Sequence, residues 1–263
     1  MIDFHCHILP GLDDGAKDWE ESIEMARYLA GQGVTGIVAT PHWMEGYYTP
    51  EPGEILAKVK LLQGKLSGCG INIKIYPGCE AHISSDLPEL VKQGKVLTVN
   101  NGGKYLLVEL PFREIPMYTD QILFQLQLEG ITPVIAHPER NEFFAGEPEK
   151  LAAYIQRGYL VQINAGSLLG IYGHKVKKTV MTLLDWKSVH LLGSHMHGGI
   201  GREIPVSDAG SIIAEKAGAE EMNLIMQSTA EEIIVGKSIT VRVQERNFEV
   251  AGFFKRLAVK ILQ

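Results

Sequence analysis

Histidines and acidic residues of this chain recur at positions suited to binding metal ions. The chain has nine histidines, and six of them come just after apolar segments with a strand pattern. His5 and His7 are two residues apart, so in extended backbone both imidazoles point the same way and can reach one ion. Two glutamates follow two further segments of this kind. The candidate ligands are His5, His7, His42, Glu80, Glu109, His137, His195 and His197, and Asp13 and Asp14 in the loop after the first segment can join them.

The types of ligand indicate which metals would bind. Imidazole and carboxylate groups without thiolates suit manganese, iron or zinc, whereas thiolates would indicate structural zinc. Eight or nine ligands are too many for one ion, and carboxylates can bridge, so we expect a cluster of two or three ions. Cys6 alternates to the opposite side and is expected to pack in the core. With Cys69 and Cys79 it makes an odd, irregularly spaced set, typical of free thiols in a reducing cytoplasm.

The elements that must position these residues follow from the apolar pattern. Repeated strand–helix units predict a parallel sheet, and seven of them in about 200 residues fit a closed or nearly closed α/β barrel better than an open sheet. The carboxyl ends of barrel strands lie on one face, where distant ligands would converge. The predicted strands are 2–4, 36–40, 71–76, 105–110, 132–136, 159–164 and 189–193. The predicted helices are 18–30, 53–66, 121–129, 151–157, 174–185 and most of 207–235.

Composition excludes several classes of protein. A hydrophobic fraction of 45% and a charged fraction of 21% are typical of a globular chain. No apolar run reaches the roughly 18 residues of a membrane span, and the N-terminus lacks a signal-peptide pattern. With 25 basic and 31 acidic residues the net charge is −6, which argues against a broad nucleic-acid-binding face and leaves only a local basic patch open, so we expect no nucleic-acid partner. We expect a single cytoplasmic domain over residues 1–263, with 236–263 as a C-terminal tail segment.

The tail contains a segment with two interpretations. Residues 248–262 mix apolar and basic side chains at helical spacing. One interpretation is a helix packed on the barrel or on a second subunit. The other is a weak contact with a membrane surface.

Two arginines lie in the loops that would form the rim of the site. Arg140 is three residues past His137, and Arg202 is five past His197. The planar guanidinium group suits phosphate oxygens. By position alone each could instead form a surface ion pair, Arg140 with Glu139 and Arg202 with Glu203.

Several motifs, in order over roughly residues 1–235, carry a resemblance to a known family. The chain resembles the polymerase-and-histidinol-phosphatase (PHP) superfamily, and within it the bacterial manganese-dependent protein-tyrosine phosphatases of capsule and exopolysaccharide operons. The Ile-Ala-His-Pro-Glu-Arg and Asp-Asp-Gly stretches favour this branch. The motifs are residues 1–10, 13–15, 39–42, 77–80, 133–140 and 194–197.

The resemblance implies a fold, a reaction and a site. The fold would be a distorted (β/α)7 TIM-like barrel with a trinuclear manganese centre, iron or zinc being alternatives. The reaction would be hydrolysis of protein phosphotyrosine, with a bacterial tyrosine kinase of polysaccharide export as the partner; the oligomeric state is left open. Arg140 and Arg202 match phosphate-binding arginines. The matched ligands are His5, His7, Asp14, His42, Glu80, Glu109, His137 and His197.

One position departs from the pattern of the family. The last motif is normally Ser-Asp-x-His, but here it reads Ser194-His195-Met196-His197. An imidazole can bind a metal through one nitrogen, but it cannot bridge or accept a water proton as a carboxylate does. His195 is therefore expected to be a ligand and a catalytic residue with impaired turnover.

Three other functions remain open from the sequence. One is a small-molecule PHP phosphoesterase of the histidinol-phosphate type. Another is a weakly active phosphotyrosine-binding regulator, which the His195 departure suggests. The third, a metal-dependent amidohydrolase, would usually place a bridging lysine where this chain has Glu109. No Cys-x5-Arg loop occurs in the sequence, which excludes the cysteine-nucleophile phosphatases.

Overall fold

The computed structural model describes residues 1–198, 201 and 203–241. Within these residues, strands alternate with helices. The strands are β1 Ile2–Cys6, β2 Gly36–Ala39, β3 His42–Trp43, β4 Lys74–Pro77, β5 Glu80–His82, β6 Tyr105–Glu109, β7 Thr132–Ala136, β8 Leu160–Asn164 and β9 Leu191–Gly193. The α-helices are α1 Trp19–Gly31, α2 Pro52–Gly68, α3 Leu87–Lys92, α4 Thr119–Leu128, α5 Glu142–Gly146, α6 Glu149–Gln156, α7 Ala165–Leu169, α8 His174–Asp185, α9 Val206–Ala217, α10 Ala219–Asn223 and α11 Thr229–Ile234.

The strands form two parallel sheets that together make a curled half-barrel. One sheet has the order β1-β2-β4, and the other has the order β3-β5-β6-β7-β8-β9. Each of the seven predicted segments overlaps a strand, although β1 continues through His5 to Cys6, which the prediction placed beyond it. β3 and β5 are additional, so the count of seven units is not reproduced. Thr40-Pro41 separates β2 from β3, and Gly78-Cys79 separates β4 from β5. Pro41 has no N–H to donate to a ladder, which is one physical reason for the first break.

The two outer strands, β1 and β9, approach each other where they end. The His195 N–H donates to the His5 carbonyl at 2.7 Å, and the His7 N–H donates to the Met196 carbonyl at 3.1 Å. The buried Asp3 carboxylate accepts the Ser194 N–H at 2.7 Å. These bonds place the His5-Cys6-His7 segment beside the Ser194-to-His197 segment, as the predicted metal centre requires.

The helices form where the periodicity predicts them. Asp18 accepts the Glu21 N–H at 2.9 Å and so caps α1, which buries Met25 and Leu29 against the sheet. The helices predicted over most of 207–235 are α9, α10, a π-helical turn at Leu224–Ser228, and α11. Three helices, α3, α5 and α7, were not predicted, because five or six residues are too few to show helical periodicity.

The amino ends of the strands are covered by α11. Phe4, Leu107, Val134 and Leu160 form a buried apolar cluster with Ile233 of α11. A second cluster, which includes Cys6 as predicted, packs the helices on the sheets. Cys6 and Cys79 are buried free thiols, and Cys69 is an exposed one. The candidate ligands lie at the opposite end of the strands from this covering helix.

The predictions for the C-terminal tail and for a membrane span have different outcomes. The segment 248–262 lies outside the described residues, so both interpretations of it stay predictions. Among the described residues, no helix combines the length and the apolar character needed to cross a bilayer.

The contact between β1 and β9 gives a test of the fold. A Cβ on Gly193 would lie 2.4 Å from the His5 Cβ and 2.9 Å from the His5 backbone nitrogen. We expect Gly193→Ala to lower the free energy of unfolding by about 3 kcal/mol, because neither neighbouring atom can move without shifting β1. In urea denaturation, the matched change Gly64→Ala, within α2 and with no atom in reach, should instead raise it by roughly 0.5–1 kcal/mol. Equal stabilities for the two variants would show that this approach is not tight.

Candidate metal centre

A buried glutamate at the start of β5 lies at the centre of the histidine cluster. The Glu80 side chain is fully buried. Its Oε2 lies 3.0 Å from His5 Nε2, 3.2 Å from His7 Nε2 and 3.1 Å from His42 Nδ1. Its Oε1 lies 2.9 Å from His137 Nε2. Four imidazoles in or next to three strands, β1, β3 and β7, therefore point at one carboxylate, although His5 and His137 are more than 130 positions apart in the chain.

The hydrogen bonds on the outer side of the rings indicate that a cation fits inside. His5 Nδ1 is 3.0 Å from Gln162 Oε1, and His7 Nδ1 is 2.7 Å from Asp13 Oδ2. Both partners are acceptors, so each neutral ring carries its proton on Nδ1 and a lone pair on Nε2. The two Nε2 atoms are nevertheless 3.1 Å apart, beside Glu80 Oε2. Lone pairs and a carboxylate this close together repel one another unless a positive charge lies among them.

Two atoms that are close together without a hydrogen bond support this interpretation. Glu80 Oε2 and His42 Nδ1 are buried and 3.1 Å apart, yet neither makes a hydrogen bond. Buried polar atoms of this kind are rare without an ion or a water molecule.

The ligand atoms fall into three overlapping groups that could each hold an ion. Within each group the atoms lie within 4.8 Å of one another, and His7, His42 and Glu80 each belong to two groups. Shared ligands are typical of a cluster of ions rather than of isolated sites. His137 is adjacent, 2.9 Å from Glu80 and 3.8 Å from Glu109. The groups are His5, His7, Glu80 and His195; His7, Asp14, His42 and His197; and His42, Glu80 and Glu109.

Burial and the neighbouring charges move the pKa values of the cluster in different directions: His195 and His197 favour the neutral imidazole, whereas His7 favours the protonated one. Loss of water around the rings lowers the pKa of His195, and lowers that of His197 to about 3. For His7 burial also lowers the pKa, but Asp13 and Glu80 together raise it to about 10. Burial would raise the pKa of Glu80, yet the surrounding imidazoles hold it well below its usual range. Neutral imidazole and ionised carboxylate are the forms that bind metals.

Two supporting residues were not identified from the sequence as such. Asp13, expected only as a further acid near the ligands, accepts hydrogen bonds from His7 Nδ1, from the His42 N–H at 2.8 Å and from the Gly15 N–H at 2.9 Å. Gln162 of β8 accepts from His5 and donates to Asn164 Oδ1 at 3.0 Å. Both orient rings rather than joining the groups that could hold an ion. The sequence feature that could have identified Gln162 is its polar side chain within the otherwise apolar stretch Leu-Val-Gln-Ile of β8.

Backbone strain accompanies two of the candidate ligands. His137 has a φ of 29° and His195 a φ of 55°, values that residues other than glycine rarely adopt. Such strain persists only where the surroundings hold it. For His195, the hydrogen bond of its N–H to the His5 carbonyl is part of that restraint.

A cleft of about 560 Å³ opens above the cluster. Its charged lining includes Glu109, Arg140 and Glu203. The Arg140 guanidinium lies between two aromatic rings, 4.8 Å from the Phe112 centroid and 4.4 Å from the Tyr172 centroid. Arg140 Nη1 is 3.5 Å from His195 Nδ1. The arginine thus faces the cleft next to the metal-binding groups.

The alternative in which Arg140 pairs with Glu139 is not what the structure has. Glu139 is buried and accepts the Asn164 N–H at 2.9 Å and the Ser167 hydroxyl at 2.6 Å. Arg202 lies outside the described residues, so its two interpretations stay predictions. His82, expected near the rim, has its Nδ1 3.4 Å from Glu109 Oε2.

Comparisons with known proteins agree on one family. The model of the family described as "Capsular polysaccharide synthesis, CpsB/CapC" matches residues 1–235. The chain is 36% identical over 239 residues to "Tyrosine-protein phosphatase YwqE" of Bacillus subtilis (strain 168), covering 91% of this chain and 93% of that protein. It is 30% identical over 254 residues to "Putative tyrosine-protein phosphatase CapC" of Staphylococcus aureus, covering 97% of this chain and 99% of that protein.

A solved structure matches as well. Its description is "Crystal structures of YwqE from Bacillus subtilis and CpsB from Streptococcus pneumoniae, unique metal-dependent tyrosine phosphatases". The match has a TM-score of 0.87 and 35% sequence identity, and it covers 92% of this chain and 97% of that chain.

The orienting role of Asp13 can be measured as metal affinity. We expect Asp13→Ala to weaken manganese binding by about 10- to 100-fold, because His7 loses the acceptor that fixes its ring and tautomer. The measurement is titration calorimetry of manganese into metal-free protein. Asp120→Ala is the matched control, since this exposed carboxylate forms a salt bridge with Arg157 and belongs to none of the groups that could hold an ion. Wild-type affinity in Asp13→Ala would mean that His7 needs no such support.

Proposed function

Because the chain belongs to the capsular polysaccharide synthesis CpsB/CapC family, we propose that it is a metal-dependent phosphomonoesterase that hydrolyses protein phosphotyrosine. One observation carries the proposal: three overlapping groups of metal-binding side chains adjoin an arginine in a single cleft. Relatives named as tyrosine-protein phosphatases, similar over nearly the whole chain, support the same reaction.

The metal we propose is manganese, with two or three ions per chain and iron or zinc as alternatives. The observed groups of nitrogen and oxygen donors suit these metals. When bound, such ions lower the pKa of water and neutralise charge on phosphoryl oxygens. The proposed ligands are His5, His7, Asp14, His42, Glu80, Glu109, His137, His195 and His197.

Side chains of the protein would bind the phosphoryl oxygens. Arg140 would bind phosphoryl oxygens with donors that no salt bridge among the described residues occupies. We propose Arg202 as a second such residue, on its position in the sequence. The leaving group is a phenolate, whose conjugate acid has a pKa of about 10, so departure needs little help from a general acid.

We further propose where the protein acts and on what. The substrate would be a phosphorylated bacterial tyrosine kinase of polysaccharide export, in keeping with the capsule synthesis named by the family. The location would be the cytoplasm, where three free cysteines stay reduced.

A second candidate, a weakly active phosphotyrosine-binding regulator, is favoured by His195. Its ring lies edge-on to His5, with centroids 4.5 Å apart, and its Nδ1 faces Arg140. A neutral imidazole here can bind an ion and contact a bound phosphate, but it brings no negative charge to attract the proton of the attacking water.

The proposed function is tested with a phosphotyrosine peptide, the matching phosphoserine peptide and histidinol phosphate. We expect the manganese-loaded protein to hydrolyse the phosphotyrosine peptide fastest. Excess chelator should reduce the rate to background, and manganese should restore it better than magnesium, because imidazole ligands favour softer ions. Full activity in chelator, with no metal found by elemental analysis, would contradict metal dependence. A faster rate on histidinol phosphate would favour the small-molecule phosphoesterase.

The role of His195 is tested by restoring the residue usual in the family. We expect His195→Asp to raise kcat on a phosphotyrosine peptide by about 10-fold, the range for a positioned acid–base group. KM should stay nearly unchanged, because the arginines and the ions carry ground-state binding. The control is His174→Asp, a change at the exposed first residue of α8, which should leave kcat unchanged.

An opposite result would be equally informative. If His195→Asp is equal to or slower than the wild type at saturating manganese, the imidazole is a competent part of the site. The weakly active regulator would then lose its support.

A further inference from the structure

Two large apolar side chains, those of Phe112 and Ile171, line the cleft beside the metal-binding groups. Phe112 is 44% exposed and Ile171 is 55% exposed, and both face the cleft beside Tyr172. Exposed aromatic and aliphatic groups at the wall of a charged cleft are typical of a surface that contacts an apolar part of a ligand.

Phe112 is held in place beside the phosphate-binding end of the cleft. Its ring stacks on His137, with centroids 5.9 Å apart and planes 14° apart. The Arg140 guanidinium lies over the same ring. A group anchored by Arg140 and the metal-binding groups therefore has the Phe112 ring as an immediate neighbour.

Ile171 reaches the cleft from a different loop. Phe112 lies three residues after Glu109, the last residue of β6. Ile171 follows the short helix α7, which itself begins directly after β8. The two side chains thus come from segments that follow separate strands. Together they form an apolar wall beside the part of a ligand that extends from the phosphoryl group towards solvent.

We propose that Phe112 and Ile171 form a subsite for the phenyl ring of the substrate, which makes the cleft selective for aryl over alkyl phosphates. The proposal rests on the proposed function, since it concerns the same site. In phosphotyrosine, the atoms next to the ester oxygen form a flat apolar ring, which can stack on Phe112 and be removed from water. In phosphoserine, a single methylene and then the polar backbone would lie there, with much less apolar area to bury.

A purely structural role for Phe112, holding Arg140 in place, must be separated from ring binding. Among the described residues, the Arg140 guanidinium stacks on the rings of Phe112 and Tyr172, and Ile171 takes no part in this stack. A variant at Ile171 therefore changes the wall and leaves the stack around the arginine in place.

The experiment compares two phosphonates that cannot be hydrolysed, phenylphosphonate and methylphosphonate, binding to the manganese-loaded full chain in titration calorimetry. We expect the wild type to bind phenylphosphonate about 10-fold more tightly, the effect of burying roughly one face of the ring. Ile171→Ala and Phe112→Ala should each reduce that preference by about 3-fold or more. In Ile171→Ala, the affinity for methylphosphonate should be unchanged.

Two further variants complete the comparison. Arg140→Ala should weaken binding of both phosphonates by the same factor, because it removes the anchor and leaves the wall. Met117→Ala should change neither affinity, since Met117 is fully exposed and does not line the cleft.

The outcomes separate the subsite from the proposed function. No preference in the wild type, or the same preference in Phe112→Ala and Ile171→Ala, overturns the subsite. A preference that depends on these two residues, in a protein that fails to hydrolyse the phosphotyrosine peptide, supports the subsite and overturns only the phosphatase function.

Discussion

The candidate metal centre is organised around one buried carboxylate, that of Glu80. Removing a carboxylate from water is costly unless hydrogen bonds and positive charge compensate for the loss. Around Glu80 the compensation comes from imidazoles at the ends of β1, β3 and β7. The outward nitrogens of His7 and His5 are in turn bonded to Asp13 and Gln162, so these two rings cannot turn away from the carboxylate. Strand order, loop conformation and ring tautomer all serve to bring lone pairs to one point.

The sequence was sufficient to predict that the metal ligands meet at one site, but not to predict which residues orient their imidazole rings. Strand-end placement predicts that His5, Glu80 and His137 meet, because the carboxyl ends of parallel strands share a face, and the structure brings them within hydrogen-bonding distance. Orientation by Gln162 depends on which strand lies next to which, and no local pattern encodes that. The breaks that produce β3 and β5 were missed for a similar reason, since strands of two and three residues cannot show a periodicity.

The same distinction holds for the arginines. Position in the chain places Arg140 near the rim, but it cannot choose between an ion pair and a free cation. The choice depends on Glu139, which the fold turns inward to the Asn164 N–H and the Ser167 hydroxyl. That inward turn follows from the short helical turn Pro138–Arg140, which begins at the strained His137. One backbone feature therefore places His137 beside Glu80, Glu139 in the core and Arg140 in the cleft.

Holding a cation between aromatic rings has a consequence for binding. A guanidinium paired with a carboxylate would have its best donors occupied, and an incoming phosphate would have to displace that partner. The faces of Phe112 and Tyr172 contact the flat side of Arg140 and leave the N–H groups at its edge for other partners. The aromatic contacts thus restrict the position of the arginine without neutralising it. In a chain with net charge −6, such a cation beside buried imidazoles provides a local attraction for a phosphorylated ligand that the chain as a whole would repel.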